Sequence, residues 1–171
     1  MDKFESFLKE KTEEAKKSEF NPAERIEKFK QHVAELYDKI DNEWLKQYIE
    51  SGEIKTGCCP ITIAEARLGV YEVNAKWIEI AGNRINLKPI GTEILGTDAR
   101  VDISYRAKEY MLVRVGENVE GFHIIVSGNG EKPKQKPAGK IVWKLVSKRQ
   151  RTSYTTLNKD VFTNLLMELM G

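Results

Sequence analysis

The stretch that decides the fold is Lys76–Tyr105, KWIEIAGNRINLKPIGTEILGTDARVDISY. Two alternating runs, Trp77-Ile78-Glu79-Ile80 and Arg84-Ile85-Asn86-Leu87, flank the turn Ala81-Gly82-Asn83. A third run, Arg100-Val101-Asp102-Ile103, follows a loop with glycines at Gly91 and Gly96. Alternation of this kind puts every apolar side chain of a strand on one face. The stretch therefore reads as the centre of an antiparallel sheet, with the rest of the chain packed on it or hung from it.

Working outward, Glu109–Val115 is a further strand. Gly116-Glu117-Asn118 turns the chain, and Gly121–Val126, Ile141–Val146 and Ser153–Thr156 follow as strands. On the other side, Ile61–Val73 alternates with a break in phase near Ala64–Arg67, which predicts a bulge or two short strands. Short turns between successive strands predict an antiparallel meander. The chain closes with a helix capped by Asn158, its buried stripe being Val161, Phe162, Leu165, Leu166 and Leu169.

Ahead of the sheet lie two helices. Residues 3–17 carry a short apolar stripe of Phe4, Phe7, Leu8 and Ala15 among Glu and Lys. Asn21-Pro22-Ala23-Glu24 is a helix start, with Asn21 as cap and Pro22 in the first turn, where its missing N–H is harmless. The second helix runs to about Glu50, before Gly52, with Ile26, Phe29, Val33, Leu36, Tyr37, Ile40, Trp44, Leu45 and Tyr48 on one face. At about 1.5 Å per residue it would be about 43 Å long, more than a small sheet is wide. It must bend, or project and pair with the first helix or with a second copy of the chain.

These readings give an α+β fold, with two N-terminal helices, a curved antiparallel sheet of about six to eight strands, and a C-terminal helix packed on the sheet. The helical segment spans residues 1–55 and the β domain 56–171, together one structural unit. The length of 171 residues is enough for a substantial core, and 40% hydrophobic with 32% charged residues suits a soluble globular chain. No apolar run approaches the roughly 20 residues of a membrane span. The N-terminal stretch is charged throughout and lacks the apolar region of a secretory signal. Cys58 and Cys59 are neighbours, and a bond between them would be strained, so a buried pair of free thiols in a reducing, cytoplasmic setting is expected.

Three features bear on chemistry. Glu93, Asp98 and Asp102 cluster around one strand end, and converging carboxylates are what a hard cation such as Mg²⁺ requires for metal-assisted hydrolysis. The alternative pairs Asp102 with Arg100, Arg84 or a lysine and leaves Asp98 in a turn, and no strand acid is followed two residues later by a lysine. The segment GNGEKPKQKPAGK, residues 128–140, places Lys132, Lys134, Lys136 and Lys140 beside one acid, Glu131, which suits either a phosphate backbone or a solvated loop. His123 and His32 have no sequence partner that marks a base or a ligand. GxSxG, HExxH, Walker and post-strand GxGxxG motifs are absent.

The resulting expectation is a non-catalytic cytoplasmic binding or adaptor protein that acts through protein–protein contacts, of the immunity or antitoxin kind by fold-level analogy. Its partner face would be Phe29, Tyr37, Trp44 and Tyr48 on the long helix, engaging another protein or a second copy. The net charge of +2 offers no global field for nucleic acid or membrane. The alternatives are a metal-dependent hydrolase or nuclease using Glu93, Asp98 and Asp102, and nucleic-acid binding through residues 132–140. The balance leans away from an enzyme, and no cofactor is expected.

Overall fold

The structure, a computed structural model, describes residues 2–17, 21–92, 97–119, 140–147 and 153–171. Among these residues seven strands form one antiparallel sheet: β1 (Ile54–Glu65), β2 (Gly69–Ile80), β3 (Asn83–Gly91), β4 (Ala99–Tyr105), β5 (Lys108–Gly116), β6 (Ile141–Ser147) and β7 (Ser153–Thr156). Their order in the sheet is their order in the chain, so the meander expected from the sequence is present. The central hairpin turns through Ala81 and Gly82, both at positive φ (51° and 80°). That is the turn type whose twist matches the flanking strands. The residues expected to form a strand at 121–126 lie outside the described ones.

Among the described residues there are also four α-helices: α1 (Lys3–Lys17), α2 (Pro22–Lys39), α3 (Lys46–Glu50) and α4 (Lys159–Met170). The caps are those the sequence indicates. Asn21 Oδ1 accepts from the Glu24 N–H at 3.2 Å, and Asn158 Oδ1 accepts from the Val161 N–H at 2.9 Å.

The expected single long helix is corrected. It breaks after α2 into a π-helical turn, Ile40–Trp44, where the Leu45 N–H reaches back to the Ile40 carbonyl at 2.9 Å. One residue more than an α-turn re-phases the stripe, so Ile40, Trp44 and Leu45 are all buried. Trp44 then meets Phe162 of α4, ring centroids 5.2 Å apart. The helix therefore bends with the sheet instead of outrunning it.

The core lies between one sheet face and α2, the π-turn and α4. Leu36, Ile40, Ile78, Ile85, Leu87, Val101, Ile103, Leu112 and Phe162 are fully enclosed there. Residues 22–50 and the strands thus share one core. The inward face changes midway along the β1–β2 hairpin. Ile54, Lys76 and Ile78 point in near its base, and Ile63, Tyr71 and Val73 nearer its tip, with no shift in register. The ribbon coils, and its tip wraps onto α2, where Phe29 meets Tyr71 edge to face. A smaller cluster on the reverse face joins Val113, Val115 and Val146. Among the described residues no helix is long and apolar enough to cross a membrane.

Candidate functional site

Helix α1 differs from every other helix in what its apolar stripe touches. Its turns are built by Glu and Lys, both good helix formers, and Asp2 Oδ1 accepts from the Phe4 N–H at 3.4 Å at its start. Steps of three and four residues bring Phe4, Phe7, Leu8 and Lys11 onto one side. The Phe4 and Phe7 rings stack at 6.5 Å, and the Lys11 ammonium lies 5.9 Å from the Phe7 ring. Every side chain from Lys3 to Glu13 is nevertheless exposed. Phe4, Phe7 and Leu8 account for half of the chain's six exposed large hydrophobics among the described residues.

The first half of α2 faces a cleft of about 300 Å³ near the start of β4. Arg25 closes one end, donating from Nε to Thr92 Oγ1 and from Nη2 to the Thr92 carbonyl, both at 3.0 Å. Thr92 N–H donates to Glu65 Oε1 at 2.8 Å, and the Tyr71 hydroxyl donates to Glu65 Oε2 at 2.5 Å. A Cβ at Gly91 would lie 2.6 Å from Glu65 Oε1, so this network needs glycine there. At the other end Arg114 donates to Asp98 Oδ2 at 2.5 Å, and His32 Nε2 lies 3.9 Å from the same oxygen. Desolvation, and then the Arg114 charge, hold the His32 pKa below the ordinary imidazole value, so the ring is neutral at pH 7. Among the described residues neither His32 Nδ1 nor Asp98 Oδ1 has a hydrogen-bond partner.

The two described carboxylates of the proposed cluster do not converge. Asp98 sits on the helix side of the sheet, whereas Asp102 faces the reverse side in a row with Lys88 and Met111. Arg100 holds Asp102 through two hydrogen bonds of 2.7 and 2.9 Å, the pairing that the sequence offered as the alternative. Glu93 lies outside the described residues. Among those residues no group of three or more His, Cys, Asp or Glu is placed to hold a metal ion.

Lys132, Lys134 and Lys136 also lie outside the described residues, as does His123; Lys140 is exposed. The long-helix aromatics are placed in the core. Phe29, Tyr37 and Trp44 are buried and Tyr48 packs on them half-buried. Within the chain that stripe is already covered by the sheet and α4, which corrects the expectation of a free apolar face at its outer end. Cys58 and Cys59 are exposed strand residues and not a buried pair. Successive strand residues point to opposite faces, so the two thiols cannot grip one ion. Desolvation pushes the Cys58 thiol up in spite of Lys76 nearby, which keeps it protonated.

Sequence reasoning missed a buried ion pair. Lys76 Nζ donates to Asp41 Oδ2 at 2.7 Å, with the Tyr37 ring 5.5 Å from the ammonium. The signal was there: Lys76 occupies an inward position of the same alternation as Ile78 and Ile80, where only a paired charge is tolerated. The π-turn that carries Asp41 to it has no comparable signature. No protein-family model, curated protein or solved structure significantly matches the chain.

Proposed function

We propose that this chain is a non-catalytic binding protein of the cytoplasm that presents α1 to an apolar groove on a protein partner. The reading rests on one observation: Phe4, Phe7 and Leu8 lie on one stripe and are 63%, 50% and 47% exposed. Anchors at i, i+3 and i+4 are the form that a groove-bound amphipathic helix takes. An isolated helix of about 15 residues is marginal in water, so docking would also stabilise it.

Charge and area narrow the occupant. Lys3, Glu5, Lys9 and Glu10 mix both signs around the stripe, unlike the basic polar face of a helix that lies on anionic lipid. Two copies of α1 alone would bury on the order of a few hundred Å² a side, below the roughly 1,200 Å² total of a stable interface. A partner with its own groove supplies the remainder. Capture of another protein is also the mode of immunity and antitoxin factors, an analogy of mode alone. The exposed thiols of Cys58 and Cys59 suit a reducing compartment. The arginines on Asp98 and Asp102, which face opposite sides of the sheet, count against paired-carboxylate hydrolysis.

The test is the full chain with Phe4→Glu and Phe7→Glu together. The reading expects unchanged thermal stability and loss of the partner. Undiminished binding by the double variant would refute it.

A further inference from the structure

A second cleft, about 270 Å³ in volume, lies between α2 and the coiled half of the β1–β2 hairpin. Its floor is apolar: Val33 and Tyr37 from the helix and Val73 from β2, all buried. Ala34 and Pro60 also line it and are exposed, so apolar surface continues from the floor to solvent. The Tyr37 hydroxyl donates to the Asn74 carbonyl at 2.8 Å, which ties helix to strand and keeps the cleft formed. Lys30 stands one turn ahead of Ala34 on the same side of α2, exposed and without an ion pair among the described residues. The volume is below the roughly 300–1,000 Å³ of a pocket for a whole small molecule, and suits one large side chain brought by another chain.

Helix α1 carries what such a cleft takes. Phe4, Phe7 and Leu8 are bare, and acids flank their stripe, Glu5 three residues before Leu8 and Glu10 three after Phe7. In its own chain α1 does not fill the cleft, since every side chain from Lys3 to Glu13 is exposed. We propose that the partner of α1 is a second copy of this chain, Phe7 of each copy entering the α2–hairpin cleft of the other over Val33, Tyr37 and Val73, with Glu10 toward Lys30. This inference rests on the reading of α1 as a groove-bound helix and names the groove. The exchange is reciprocal, so one two-fold dimer holds two such seats. Each seat would bury on the order of 300 Å² of the helix and as much of the cleft, so the two together reach about the 1,200 Å² of a stable interface. At that lower limit the dimer is expected to be weaker than about micromolar.

The test is sedimentation equilibrium of the full chain up to about 1 mM, where a monomer–dimer equilibrium is expected. Phe7→Glu and, separately, Ala34→Arg should each weaken dimerisation by about tenfold or more. Both positions are exposed, so thermal stability should be unchanged; Phe7→Ala and Ala34→Gln provide a milder second pair. In a mixture of isotope-labelled and unlabelled chains at the same concentration, nuclear Overhauser contacts are expected between the Phe7 ring of one copy and the Val33 and Val73 methyls of the other. A chain that stays monomeric up to about 1 mM overturns the second copy as occupant. It leaves the reading of α1 standing, which the chain with Phe4→Glu and Phe7→Glu tests separately. Dimerisation lost with Phe7→Glu but indifferent to Ala34→Arg keeps α1 as the binding element and overturns the cleft as its groove. A dimer indifferent to Phe7→Glu, or Phe7 contacts within one chain only, overturns the inference as well.

Discussion

Helices α1 and α2 have the same design in sequence, an apolar stripe on a body of Glu and Lys, and opposite fates in the structure. On α2, Phe29, Val33, Leu36 and Tyr37 are all buried against the sheet. On α1, Phe4, Phe7 and Leu8 are bare. The difference is in the number of anchors and their continuity. The α2 stripe runs on through Ile40, Trp44 and Leu45, long enough to close a sheet, whereas that of α1 ends within about two turns. Amphipathic pattern alone thus marks a surface that wants covering, and its length tells whether the cover comes from the same chain.

Substitutions in the two helices should separate these roles, the largest effects coming from α2. Phe29→Ala removes a buried ring that also seats Tyr71 of the hairpin tip, and should cost about 3–5 kcal/mol in denaturant unfolding. A loss under about 1 kcal/mol would mean the α2 side is not the closed face described. Lys76→Ala comes next. It leaves Asp41 facing a void, and since that carboxylate is one-third exposed, a loss near about 3 kcal/mol, the low end for a broken buried pair, is expected. Replacing both partners with Met and Leu should restore most of it.

A smaller effect comes from pH. The folded-state pKa of His32 lies below its ordinary value near 6.5, mainly through desolvation and Arg114, and Asp98, Glu35 and Lys28 also face it. The unfolded chain therefore takes up the proton first. The contribution to stability is complete above about pH 6.5 and falls away as the pH drops from there toward the folded-state value. His32→Gln should flatten urea stability between neutral and mildly acid pH; a steeper acid loss in the variant would reverse the assignment. Smallest of all, Phe7→Ala should change stability by no more than about 0.5 kcal/mol while weakening the partner complex.

Much of the fold was legible because alternation and capping are local signals. The strands around Ile78, Ile85 and Val101, the caps Asn21 and Asn158, and the stripe of α4 needed no knowledge of what lay opposite. The π-turn did not show, since one inserted residue leaves the apolar spacing at Ile40, Trp44 and Leu45 compatible with a plain helix. Nor did the separation of Asp98 and Asp102. Their spacing is that of neighbours, but Asp98 stands just ahead of β4 in reach of α2, and strand alternation points Asp102 to the reverse face. The aromatics of α2 were read as an interface from helix length, and the bend removed the premise. The stripe of α1 was visible, but its exposure depends on the absence of cover on its side chains, which no local pattern encodes.

The most direct test of the account is amide hydrogen exchange of the full chain, free and in complex with its partner. In the free chain the α1 amides should exchange within a narrow factor of unfolded rates, while those of Leu36 and Ile78 stay strongly protected. In the complex, α1 should gain protection by several orders of magnitude with α2 unchanged. A complex in which α1 exchanges as fast as in the free chain would contradict the assignment of this helix as the partner-binding element.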